Sequence, residues 1–145
     1  MDKERILSNL DELESYLSEI EDIKPADLHE YKVSVEKRRA CERLLQISIE
    51  TVIDICNIII SELKLGLPSN EEEIFDKLEK KKIISPQMCG LLNDMKGFRN
   101  ILVHKYGVVD DEIVFEMLSE KMKDFDAFKK EILLFLKTTD SQKTK

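Results

Sequence analysis

The segment from Leu44 to Ile60, LLQISIETVIDICNIII, is apolar on almost every side of a helix, and such a helix has to be buried among others. Gln46, Glu50, Asp54 and Asn57 interrupt it, and with Arg43 before it and Ser61 after it they recur at steps of three or four residues and so form one polar stripe. The stripe reads either as the solvent-facing edge of a buried helix or as the polar wall of a site or partner surface. The helix around it is expected to run from Asp27, a suitable N-cap, to Leu65, with Gly66 and Pro68 as its stop.

The flanking segments carry the same periodicity. A first helix over about residues 2–21 places Ile6, Leu10, Leu13, Leu17 and Ile20 on one face, and Pro25 ends it. Ser69 followed by Glu72 resembles a capping box and predicts a short helix over about 70–81, with Ile74, Phe75 and Leu78 inward. Ser85-Pro86 starts the next helix, which carries Leu91, Leu92, Met95, Phe98 and Leu102 to near Gly107. Asp110 can cap a last helix reaching about Lys137, with Ile113, Met117, Met122, Phe125, Phe128, Ile132 and Phe135 as its apolar positions.

The expected fold is therefore all-α, a helical bundle of about five helices with an up-and-down core and a short fifth-helix extension. At 145 residues with four glycines, three prolines and no tryptophan, one helix-rich domain over residues 1–137 is expected. The tail TTDSQKTK, residues 138–145, is expected to be disordered.

Charge and cysteine usage narrow the function classes. A net charge of −7 argues against broad capture of a polyanion, which depends on neutralising phosphates with Lys and Arg. No DNA binding is expected, and any RNA contact must be local. The clusters Lys37-Arg38-Arg39 and Lys80-Lys81-Lys82 are flanked by glutamates and read as solvated helix faces, as does His29 among its charged neighbours. Cys41, Cys56 and Cys89 are odd in number and embedded in apolar patterns, which suggests reduced thiols rather than disulfides or a zinc site. The N-terminus MDKERILSNLDELESYL is charged and periodic, unlike a signal peptide. A cytoplasmic protein without membrane association is expected.

The segment with chemical capacity is GFRNILVHKYG, residues 97–107. On an ideal helix Arg99 and His104 point roughly 140° apart, whereas Arg99 with Tyr106, and Asn100 with His104, fall on shared faces. His104 has two readings: a cation favoured at a helix C-terminus, or a general base. In the second, an imidazole takes the proton of a ribose 2′-hydroxyl while an arginine holds the phosphoryl oxygens. Neither metal nor cofactor is required. A single histidine in the segment is awkward for a mechanism that uses both a base and an acid, so a homodimer that brings two segments into one cleft is expected from the mechanism.

These residues carry a resemblance. Arg99-Asn100-Ile101-Leu102-Val103-His104-Lys105-Tyr106 has the form Arg-x-x-x-x-His-x-Tyr and is similar to the signature of HepT-like toxins of the HEPN superfamily. The stretches RRACERLLQISIETVIDICNIII, GLPSNEEEIFDKL and ISPQMCGLLNDMKGFRNILVHKYGVVD also resemble this family. The resemblance implies a HEPN-like fold and the toxin of a type II/VII-like toxin–antitoxin system. It implies a metal-independent endoribonuclease acting on RNA as a homodimer, with Arg99 and His104 catalytic and Asn100 supporting. It further implies a MntA-type nucleotidyltransferase antitoxin as partner, which would place AMP on Tyr106 and so repel RNA by added bulk and charge. Lys105, in the variable slot, could meet a phosphate or face solvent. Two rival readings are a catalytically silent HEPN-type binding module that partners a nucleotidyltransferase, and a structural oligomer in which Arg99 and Tyr106 pack across an interface.

Overall fold

The computed structural model describes residues 1–104 and 108–143. Among these, the chain forms seven α-helices and one π-helical turn, without strands. α1 (Lys3–Ile23) is capped by Asp2, whose side chain accepts from the Arg5 N–H, and buries Ile6, Leu10, Leu13, Leu17 and Ile20 as the spacing predicts. Lys24, which precedes Pro25, takes an extended conformation (ψ 135°) and ends the helix.

The expected single helix from Asp27 to Leu65 is two. α2 (Leu28–Val33) and α3 (Val35–Glu62) break at Ser34, whose backbone is extended (φ −111°, ψ 105°) and whose hydroxyl accepts from the Lys37 N–H at 3.2 Å. Asp27 caps the first piece as expected, accepting from Glu30 N–H at 2.8 Å. The break gives the two pieces different partners: α3 lies along α1, whereas α2 packs on α6 (Asp111–Glu116). It also sends Tyr31 fully inward, against Phe115 at 6.3 Å between ring centroids. Apolar periodicity could not reveal this break, because it rests on a serine cap and tertiary contacts rather than on proline or glycine.

α3 is the buried spine. Cys41, Leu45, Ile49, Val52, Ile55, Cys56 and Ile59 are solvent-inaccessible, and the buried hydroxyls of Ser48 and Thr51 each donate to a carbonyl of the preceding turn at 2.7 Å. By length and composition α3 could cross a membrane, but 61% of its most apolar window is buried inside the bundle, so packing accounts for its composition. The polar stripe lies on the outer side, with Arg43, Asp54, Asn57 and Ser61 exposed and Gln46 and Glu50 half-buried.

The connection to α4 (Glu71–Lys80) is tightly specified. Gly66 has φ +92°, which favours glycine, and Lys77 reaches back to donate to the Leu65 carbonyl at 3.0 Å. The N-cap is Asn70, which accepts from Glu73 N–H at 2.8 Å, one residue later than Ser69. Glu73 rather than Glu72 turns back, accepting from the N–H and hydroxyl of Ser69; these bonds hold the Glu73 carboxyl below the usual glutamate range. Ile74, Phe75 and Leu78 are buried as expected.

α5 (Pro86–Val103) starts as predicted, with Ser85 accepting from Met88 N–H and proline in the first turn. It ends at Val103, short of the expected Gly107. Ile101, Val103 and His104 face solvent, so little packing sustains a further turn, and the His104 N–H folds back to the Ile101 carbonyl at 3.4 Å. The expected helix from Asp110 is also divided, into α6, a π-helical turn (Met117–Lys121) and α7 (Lys123–Lys143). The wider turn phases the two α-helical pieces independently. Val114 and Leu118 are buried where Ile113 was expected to be, while Phe125, Phe128 and Ile132 are buried as expected. α7 runs past Lys137 to Lys143, so most of the segment expected as a disordered tail is helical. Within it, the Thr138 and Thr139 hydroxyls donate to the Leu134 and Phe135 carbonyls one turn back.

Candidate active site

The end of α5 carries the candidate residues. Arg99 and Asn100 stand in its last turn, and their side chains meet, the Arg99 Nε–H donating to Asn100 Oδ1 at 3.0 Å. The Arg99 Nη2 donates to Glu71 Oε1, a charge-assisted bond across two helices. The Arg99 side chain is 14% exposed and that of Glu71 32%, so the guanidinium sits partly sheltered at the seam between the start of α4 and the end of α5.

His104 is the C-cap of α5, with an extended backbone (φ −70°, ψ 124°) and an exposed side chain. The ideal-helix angles therefore hold for Arg99 and Asn100 but not for His104, which has left the helix. Its extended backbone takes its direction off the helical screw. Tyr106 and Lys105 lie outside the described residues. Around the segment, Ile101, Val103 and Val108 are exposed apolar side chains.

Sequence reasoning missed Glu71. Three consecutive glutamates open α4, and no local pattern separates the one that reaches α5 from its neighbours; the ion pair spans 28 positions of sequence.

Three potential ligand groups, those of Asp76, Glu79 and Cys89, also come within 4.8 Å of one another between α4 and α5. Burial raises the Cys89 thiol, and the Glu79 and Asp76 charges raise it further, so it is held protonated and donates weakly to Asp76 at 3.8 Å. A compact sulfur–carboxylate contact accounts for this group.

An all-helical bundle with an arginine, an asparagine and a histidine at the end of one helix is the arrangement that the resemblance to HEPN proteins leads one to expect. The chain belongs to the ribonuclease HepT-like family, whose model matches residues 6–132. It is 30% identical over 137 residues to the tRNA nuclease HepT of Aphanizomenon flos-aquae, covering 94% of this chain and 93% of that protein. It is 33% identical over 84 residues to the mRNA nuclease HepT of Shewanella oneidensis, covering 58% of this chain and 63% of that one. Its structure is similar to that of the tri-AMPylated Shewanella oneidensis HEPN toxin in complex with MNT antitoxin, with a TM-score of 0.82, 26% identity and coverage of 89% and 96% of the two chains. Family membership places the chain among the endoribonucleases.

Proposed function

We propose that this chain is the toxin of a toxin–antitoxin pair, a metal-independent endoribonuclease of the cytoplasm whose active site forms where two copies bring their α5 ends together. The observation that carries the reading is the placement of Arg99 and His104 at one open helix end, with the guanidinium already oriented by Asn100.

The chemistry follows from the groups present. The His104 imidazole accepts the proton of a ribose 2′-hydroxyl. The freed oxygen attacks the adjacent phosphorus in line, and the 5′-oxygen leaves with a proton from the second copy's His104. The products are a 2′,3′-cyclic phosphate and a 5′-hydroxyl. Arg99 stabilises the charge that grows on the non-bridging oxygens, with Asn100 in support. The exposed Ile101, Val103 and Val108 beside the segment supply apolar surface for such a pairing.

A MntA-type nucleotidyltransferase is the proposed antitoxin, and Tyr106 its target. Support comes from the AMPylated relative and its antitoxin complex, and from the place of Tyr106 two residues after His104. An attached AMP brings a phosphate charge and bulk beside His104, which repels RNA.

The test uses purified protein on labelled tRNA and on an mRNA transcript, with a chelator present and absent. Wild type is expected to cleave equally well in both conditions, His104→Ala is expected not to cleave, and sedimentation is expected to show a dimer. Co-expression with the nucleotidyltransferase should add AMP-sized mass that Tyr106→Phe lacks. Equal cleavage by wild type and His104→Ala would remove the catalytic assignment. Inactivity of all forms would favour a binding module, the reading that the net charge of −7 supports.

A further inference from the structure

We propose that Glu71 is a positioning residue for Arg99, its carboxylate holding the guanidinium in the orientation that meets the scissile phosphate. The inference rests on the ribonuclease reading above and adds a residue from a different helix to the site.

A free arginine side chain samples many rotamers, and freezing it when substrate binds costs conformational entropy. Here two acceptors approach the planar group: Asn100 Oδ1 at Nε and Glu71 Oε1 at Nη2. One contact would leave rotation about the bonded nitrogen; two fix the plane. Neither of these two contacts uses Nη1, and a guanidinium carries donors enough to meet a phosphate oxygen besides them.

The carboxylate is itself firmly mounted. Glu71 is the first residue of α4, where the helix dipole favours an anion. Its approach is set by Gly66 at φ +92°, by the Lys77 bond to the Leu65 carbonyl, and by the Asn70 cap. Its two acidic neighbours do other things: Glu73 closes on Ser69, and Glu72 is exposed. Preorganisation of this kind acts on the transition state, because the cation stands where charge develops before substrate arrives.

The experiment measures kcat and KM of the full chain on a fluorophore-labelled RNA oligonucleotide and on a tRNA pool. Glu71→Gln, which keeps the size of the side chain and loses its charge, is expected to lower kcat on the order of tenfold to a hundredfold with KM near wild type. Its melting midpoint should stay close to that of wild type, and Glu71→Asp should recover part of the loss. In an Arg99→Ala background the Glu71→Gln change should have no further effect. Wild-type cleavage with an unchanged or raised kcat in Glu71→Gln overturns the inference and leaves the ribonuclease reading standing, as do additive losses in the double variant. Absence of cleavage by wild type on both RNAs overturns the ribonuclease reading, and this inference with it.

Discussion

Ser85 and Glu131 are joined twice, the backbone N–H and the hydroxyl of Ser85 donating to the two carboxylate oxygens of Glu131 at 2.7 and 2.9 Å. The contact fastens the start of α5 to α7, at the opposite end of α5 from Arg99.

Glu131→Ala is expected to lower unfolding free energy by about 1–2 kcal/mol, because it strips two partners from a helix cap. Ser85→Ala should cost a similar amount and the pair less than the sum, since they share the interaction. Urea denaturation checks this. A Glu131→Ala midpoint equal to that of wild type would show that the clasp adds nothing.

Arg99→Lys is expected to lose RNA cleavage at least about tenfold, although it keeps the charge. A lysine presents a point charge and lacks the planar fork that meets Asn100, Glu71 and a phosphate together. Single-turnover cleavage rates decide the matter, and a lysine variant as fast as wild type would reduce the arginine to a simple cation.

The Asp54 carboxyl is raised above its usual value by partial burial, and further by the charges of Glu50 and Glu12. A raised carboxyl contributes stability that is fully present below its unfolded value and is lost as pH rises through the folded one. At neutral pH the ionised Asp54 therefore costs stability. Asp54→Asn is expected to gain about 0.2–0.5 kcal/mol at pH 7, the scale of an i,i+4 repulsion, and no such gain well below about pH 4, where the carboxyl is protonated in the folded and the unfolded chain alike. Thermal melts at the two pH values test the sign; a variant less stable at pH 7 would contradict it.

Gly66→Ala is expected to destabilise by about 1–2 kcal/mol, because φ +92° is strained for any side chain. The added Cβ would stand 3.6 Å from Lys77 Nζ, an ordinary contact, so strain rather than collision is the cause. If Gly66→Asn, which tolerates the left-handed region better, is no more stable than Gly66→Ala, the backbone explanation fails.

Much of the molecule was legible in one dimension. The buried faces of α1, α3 and α4 follow from spacing alone, since a helix repeats every 3.6 residues wherever it lies. The Arg99–His104 segment is likewise a local pattern. Other features were hidden because their cause is non-local. The break at Ser34 separates α2 and α3, which pack on different partners far away in sequence. The division of the last predicted helix by a π turn, the early end of α5 and the extension of α7 were equally invisible to periodicity.

The sequence by itself determined that the chain is helical, which faces of α1 and α4 would be inside, and that an arginine and a histidine stand at one helix end, because these depend on side-chain chemistry and helical repeat. Only the tertiary structure decided that His104 leaves the helix, so that its aim is not set by the helical repeat. It alone decided that the partner of Arg99 is Glu71, and not Glu72 or Glu73. The three glutamates are chemically identical, and only the packing of α4 against α5 distinguishes them.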